Sequence, residues 1–521
     1  MMTRRMCLGG LAAFALLTAV GLGAGPAEAQ KRGGNVVVAM GGGPDTLDPH
    51  FSRSTATRNV IVHVFEPLLT RGENMELVPV LAESWSTSPD NKTFTFKIRE
   101  GVKFHNGKVM TVDDVIASLE RYRNHSLNKA QLSDVASIAK ADDRTIVITT
   151  KQEAPIFLEM FSDFGSLYAV MPADLAKQEM GRLDPLVGTG PYKFVEWVPD
   201  SHVKLARFDE YQQRPGETKR NGFGGLKEAF FDTITFRIIK EEGARVAALE
   251  AGEVHVVEQI PTQAATRLAK DKGDKIAVHD FQRFWIQMAF VNMVNPPTDN
   301  ILFRRAVQAA LDLEEIMEVA TDGAYELDVS WQYPGTPYHS TAGKEFYNQR
   351  SPDKAKQLLK ESGYKGEPII IMTNTNYQDM YKASLVMEQQ LKAVGINVQM
   401  VVQDWATAQQ IRNRDKNAWH IFMGAMGGQI PLGPALGVSQ FTGPSRTQFL
   451  MDAKWDELYS KLKTEPTEQK RREAWDRAQA YMYEQVMQLK FGNTTVKQAS
   501  LSRVKGFTPY RAPRMWGVWF E

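Results

Sequence analysis

A mixed α/β fold is predicted, on three observations. Phe94, Phe96 and Ile98 alternate with Thr95, Lys97 and Arg99, the period of a strand with one buried face, and a helix start follows at Thr111. Residues 368–402 read as strand, helix, strand, which implies a right-handed crossover and a parallel pair. Residues 449–489 are rich in Lys and Glu at helical spacing. No internal repeat or low-complexity linker interrupts the chain.

Residues 1–29 read as an export signal. Arg4 and Arg5 form a positive start, Leu8–Leu22 is apolar, and Ala27-Glu28-Ala29 is a small-x-small cleavage site before Gln30. The apolar core is too short and too rich in Gly and Ala for a membrane span. Thr3 to Leu8 resembles a twin-arginine motif with Cys7 in place of the usual aromatic, so the Sec and twin-arginine routes both stay open. Cys7 precedes the apolar run, which is the wrong place for a lipid anchor. Cleavage after Ala29 removes the single cysteine and leaves neither a disulfide nor a thiolate metal site. The full chain carries a formal charge of +1, and near-neutrality argues against nucleic acid as a partner. The expected product is soluble and lies outside the cytoplasm.

The elements follow in order. Gly33-Gly34-Asn35 enters a buried strand at Val36–Met40. The loop Gly41-Gly42-Gly43-Pro44-Asp45-Thr46-Leu47-Asp48-Pro49 is Gly-rich, but it lacks a Gly-Lys-Ser/Thr sequence and its prolines oppose a helix, so it is a poor phosphate cradle. A helix is expected at Ile61–Leu69. Asp90-Asn91-Lys92 and Asn106-Gly107 are turn chemistry on either side of the 94–104 strand segments. Thr111 suits an N-cap, with Asp113 and Asp114 at the positive end of its helix. Those two carboxylates point in different directions on a helix, so they read as helix-end electrostatics and not as a catalytic pair. Thr145–Thr149, Gly190–Phe194, Thr233–Ile239 and Val254–Val257 are strands, Gly222–Gly225 a loop, and Gly243–Gly252 a helix. Pro296 to Asn300 precedes a helix at Phe303–Leu311, and Ser351-Pro352-Asp353 begins another. Pro368–Thr373, Met380–Val394 with its stop at Gly395, and Ile396–Val402 form the strand–helix–strand unit. A helix after Trp405 leads to Trp419–Met423, and Phe491–Gln498 is a return crossing.

The order of residues resembles one family. Leu81-Ala82-Glu83-Ser84-Trp85, then Phe-x-Phe-x-Ile-Arg-x-Gly-Val-x-Phe at 94–104, Asn106-Gly107 and the Asp-Asp helix start are similar to the solute-binding proteins of peptide/nickel-type ATP-binding-cassette importers. Leu47-Asp48-Pro49, Phe65-Glu66-Pro67-Leu68, Gly188-Thr189-Gly190-Pro191-Tyr192, Leu205–Tyr211, Asn292 to Asp312, and Pro352 to Gly363 extend the resemblance along the mature chain. It implies a two-lobed periplasmic-binding-protein fold of the cluster C type, with a small domain inserted in lobe I. Lobe I is then 30–285 plus 490–521, with the insertion at about 76–190, and lobe II is 286–489. Crossings near 285–292 and 489–498 permit hinge closure over a ligand. The implied role is a monomeric, cofactor-free periplasmic binding component. It delivers a peptide, an opine or sugar conjugate, or a metal chelate to a membrane permease with cytoplasmic ATPase subunits. The alternative from another class is a secreted hydrolase whose catalytic residues lie far apart in sequence.

No catalytic or metal motif stands out: the nine His are scattered, without His-x-x-x-His, and there is no Gly-x-Ser-x-Gly. Site candidates come from the resemblance. Trp405 and Arg412 match a Trp and an Arg seven residues apart that line the cleft in oligopeptide binders. Trp405 offers a flat apolar wall and Arg412 a fork of donors for a carboxylate. Peptide binders carry Trp-x-x-Asp downstream, whose carboxylate pairs with the peptide's ammonium. This chain has Met426-Gly427-Gly428-Gln429 instead, and neither Met426 nor Gln429 can supply that charge. The expectation is a ligand with an anionic or strongly polar end and no obligatory ammonium near Gln429.

Overall fold

The computed structural model describes residues 31–521, apart from Arg53, Asn128, Asn376, Asp404, 428–431, 439–440 and 442–450. Its two main sheets build two lobes. The seven-stranded sheet has the order 276–281, 496–501, 256–260, 35–40, 233–238, 202–207, 192–198; the six-stranded sheet has the order 325–326, 488–494, 286–291, 421–426, 369–373, 398–402. The chain passes from the first to the second between Phe281 and Ile286, and returns at Thr495, between the strands Gln488–Thr494 and Val496–Leu501. Each sheet has its own core. Strand Ile286–Val291 is buried at every residue because helices and loops cover both faces.

A four-stranded antiparallel sheet, in the order 82–87, 93–98, 145–150, 135–142, lies beside the seven-stranded sheet and shares its core. Strand Thr93–Ile98 buries Phe94, Phe96 and Ile98, as their alternation requires. The chain then turns at Asn106-Gly107, with Lys103 bridging to Val109. Helix Val112–His125 starts in a capping box: the Thr111 hydroxyl accepts from Asp114 N, while Asp114 accepts from Thr111 N at 2.9 Å. Asp114 is fully buried and also takes Lys108 Nζ at 2.5 Å and Ala173 N at 2.8 Å, so it pins the helix to the following chain. Asp113 stays in solvent.

The 368–402 unit forms as expected: strands Ile369–Thr373 and Val398–Val402 pair in parallel around helix Gln378–Ala393. Gly395 ends the connection at a φ of +95°, where a side chain would be strained. Asn300 caps helix Ile301–Ala310 by accepting from Leu302 N, and Ser351-Pro352 opens helix Pro352–Glu361. Some expectations fail: Gly224–Gly225, expected in a loop, pairs with Arg220–Asn221, and 286–291 and 488–494, expected in the crossings, are strands of the six-stranded sheet. The helix near 61–69 lies earlier, at Thr55–Ile61, and Leu69–Arg71 is a short strand. Pro67 lacks an N–H and disfavours helical geometry at Glu66, so the segment leaves the helix before it.

The motifs that carry the family resemblance act as ties within the first lobe. Asp48 receives both terminal nitrogens of Arg121, at 2.9 and 2.5 Å, with Gly181 N at 2.8 Å. Glu66 accepts from Lys227 Nζ at 2.8 Å, Thr189 Oγ1 at 2.9 Å and Tyr211 OH at 2.9 Å. Gly188 and Gly190 pass so close to the backbone of His63 and Val64 that a Cβ would lie 2.1 and 2.3 Å from carbonyl oxygens. These positions hold glycine for want of space.

Candidate functional site

Strand polarity locates the cleft. In the six-stranded sheet, 369–373, 398–402 and 421–426 run parallel, and Met426 at the end of the last pairs with Ile286, just after the crossing. In the seven-stranded sheet, 35–40 runs parallel to 233–238 and 256–260, and Ile260 pairs with Lys497, just after the return crossing. The carboxyl ends of both parallel sets therefore lie at the junction of the lobes. In open α/β sheets that is where ligands bind.

The first lobe brings polar groups to this edge. Gly41, just past strand Asn35–Met40, donates its N–H to Glu258 Oε1 at 3.0 Å, and Asn59 Nδ2 donates to Glu258 Oε2 at 2.5 Å. Burial raises the Glu258 carboxyl above the ordinary value, against the pull of these donors and of Arg245 and Arg58. Arg58, on helix Thr55–Ile61, donates from Nη2 to the Arg511 carbonyl at 3.0 Å.

Two clusters of described residues join the lobes, among other contacts. Leu432 and Leu436, downstream of strand Ile421–Met426, pack with Val62, Phe164, Phe223, Tyr510 and Trp516 of the first lobe. Beside them, Arg471 of helix Glu468–Glu484 reaches Glu159 Oε1 at 3.3 Å, and Tyr338 OH donates to the same oxygen at 3.3 Å. Burial raises the Glu159 carboxyl, with Arg471 and Arg71 opposing.

Trp405 and Arg412 lie two turns apart on one face of helix Trp405–Arg414. The half-buried Trp405 ring stands edge-on to Tyr377, with centroids 5.1 Å apart, and lies 6.1 Å from Phe422. The Arg412 guanidinium packs over Phe290 and Phe422, its carbon 4.5 and 5.0 Å from their centroids, and burial lowers its pKa to about 10. The two residues thus share Phe422. Met426 is 7 % exposed and ends its strand beside the crossing. Gln429 and Asp404 fall outside the described residues. The sequence did not single out Arg58, Glu159, Glu258, Arg471 or Arg511, because each belongs to the cleft edge only through contacts remote along the chain. The run Arg511 to Arg514, in a chain otherwise balanced in charge, was the one local hint.

Two α/β lobes, joined by two crossings and meeting at the carboxyl ends of their parallel strands, are the architecture of a two-lobed solute-binding protein. The chain matches the model of the bacterial extracellular solute-binding proteins, family 5, over residues 76–448, and it belongs to that family. It is 32% identical over 410 residues to the glutathione-binding protein GsiB of Escherichia coli strain K12, covering 77% of this chain and 75% of that protein. Among solved structures it is similar to the ABC transporter substrate-binding protein CtaP of Listeria monocytogenes. The TM-score is 0.81 at 23% identity, covering 94% of this chain and 100% of CtaP. NikA of Brucella suis, in complex with Fe(III)-EDTA, gives 0.81 at 19% identity over 94% and 100% of the two chains. The family's role is binding within ATP-binding-cassette importers, without catalysis, and the hydrolase alternative has no support. Among the described residues no helix is long and apolar enough to cross a membrane.

Proposed function

We propose that this protein is exported to the periplasm by the Sec or twin-arginine route and captures a small polar solute between its lobes. It then presents the closed form to a permease driven by cytoplasmic ATPase subunits. The observation that carries this reading is the meeting of two sets of parallel-strand carboxyl ends across the crossings at 282–285 and Thr495, which we take as the hinge. Lobe I is then residues up to about 285 plus the C-terminal segment, and lobe II the chain between. The similarity to GsiB supports a peptide-like solute bearing carboxylates.

Solute that binds the closed state draws the open–closed equilibrium toward it. Protein purified from its native host should release a small polar solute on denaturation, identifiable by mass spectrometry. Small-angle scattering of the stripped protein should show compaction when that solute is returned. A radius unchanged at saturation would count against hinge closure.

On the lobe II side we propose Trp405, Arg412, Met426 and Gln429 as ligand-contacting residues, Gln429 falling outside the described residues. Support comes from the aromatic shelf of Tyr377, Phe290 and Phe422, which holds the Trp405 and Arg412 side chains on one face of their helix. Arg412→Ala is expected to weaken solute binding by about 1.5–3 kcal/mol, the scale of a charge-assisted hydrogen bond. Calorimetric titration measures it, and an unchanged affinity removes Arg412 from the site.

A further inference from the structure

We infer that Arg58 and Arg511 form an oxyanion-binding subsite on the lobe I side of the cleft, reading a carboxylate or phosphate group of the solute. The inference rests on the cleft being the solute site. The two guanidinium carbons flank the Phe164 ring, 5.9 and 6.0 Å from its centroid, and Phe164 packs against Leu432 and Leu436 of the opposite lobe. Arg511 also lies over Tyr333 of the second lobe, 5.4 Å from its ring centroid, and donates a long hydrogen bond of 3.4 Å to the Arg283 carbonyl in the first crossing. Both arginines are thus held where the lobes meet.

Neither has a carboxylate within ion-pair distance among the described residues. The acids nearest in effect to Arg58 are Asp163 and Glu258, and both are already engaged. Asp163 accepts from Gly165 N at 2.7 Å and Gln131 Nε2 at 3.0 Å, while Glu258 holds Gly41 N and Asn59 Nδ2. Arg58 Nε is enclosed without a hydrogen-bond partner, and Arg511 is 7 % exposed. The neighbouring pairs show the contrast, since buried Arg121 has Asp48 and buried Arg514 has Glu73. Two like charges side by side repel; Asp163 and Glu258 act on Arg58 without forming an ion pair with it, which leaves room for an incoming anion to offset the rest of the cost. Planar guanidinium forks suit the paired oxygens of a carboxylate or phosphate.

The test uses the full mature protein, stripped of solute, with succinate and inorganic phosphate as probes against chloride at matched ionic strength. Binding is read by calorimetric titration and by the rise in melting temperature. The wild type should bind at least one probe, and the preferred probe distinguishes a carboxylate from a phosphate site. Arg58→Gln and Arg511→Gln should each weaken that binding by about tenfold or more, as loss of a charge-assisted contact does. Arg511→Lys, which keeps the charge, should retain part of it and serves as the control for folding. Absence of oxyanion binding by the wild type at tens of millimolar, or equal affinity in both Gln variants, overturns the subsite. If solute released from the native protein still binds both Gln variants with full affinity, solute capture stands and this subsite does not.

Discussion

Acidification from pH 7 to pH 5 should destabilise the first lobe by about 6 kcal/mol through His50, His63 and His105. Burial lowers His50 and His105 to about 4 and His63 to about 3. Arg121 adds to the effect at His50, and the hydrogen bonds each ring makes oppose it only in part. The geometry agrees with neutral rings. His63 Nε2 stands 3.1 Å from the Met515 N–H and must accept from it, which leaves its proton on Nδ1, 3.3 Å from the Val60 carbonyl. A charged ring would set an N–H against an N–H.

For a base whose folded pKa is depressed, the unfolded chain binds more protons between the two values. Stability is therefore fully present above the unfolded pKa, near 6.5, and is lost as the pH falls toward the folded values. At pH 5 each histidine has cost about 2 kcal/mol, since a tenfold difference in proton affinity is worth about 1.4 kcal/mol. Glu66 and Asp48 act in a lower window. Burial would raise both, but Lys227 and Arg121 hold them below the ordinary carboxylate values, so their contributions fade only as the pH drops through that lower range. Calorimetry at pH 7, 6 and 5 should show the first lobe's transition moving down further than the second's. Histidine resonances of these three rings that titrate near 6.5 in the folded protein would rule the effect out.

Lys227→Met should cost about 3–5 kcal/mol, the usual scale for leaving a buried charge without its partner. Lys227 and Glu66 side chains are 3 and 1 % exposed, so water cannot replace the lost ammonium. Glu66 would keep Tyr211 and Thr189 as donors but lose its counter-charge, while the ammonium's place near the Trp516 ring, 5.4 Å from the centroid, would be taken by a methyl group. Lys227→Met combined with Glu66→Gln should recover part of the loss, because neither position of the pair then carries a charge. Urea unfolding of the single and double variants measures both effects. A single variant as stable as the wild type would mean that the pair does not tie these segments together.

Much of the fold was legible along the chain. The alternation of Phe94, Phe96 and Ile98 specifies a half-buried strand, Thr111 and Asp114 specify a capped helix, and the apolar spacing between Ile369 and Val402 specifies a parallel crossover. These are local properties: which face is apolar, which donor needs a cap, and where φ must be positive depend on residues a few positions apart. Trp405 and Arg412 share a helix face for the same reason, since seven residues make two turns. The expectation of a helix at 61–69 failed locally too, because the apolar residues there mask the break that Pro67 imposes.

Tertiary structure alone decided what the individual residues do. Glu66 and Asp48 sit in the most recognisable motifs and prove to be internal ties, paired with Lys227 and Arg121 from distant segments. Arg58 and Arg511 come to one ring at the junction of the lobes across more than 450 residues of chain. No periodicity encodes such a meeting. It follows from the parallel strands of each sheet, whose carboxyl ends are brought together by the two crossings. Whether a charge there becomes a tie or a site depends on whether folding supplies its counter-ion, and that depends on which segments the fold makes neighbours.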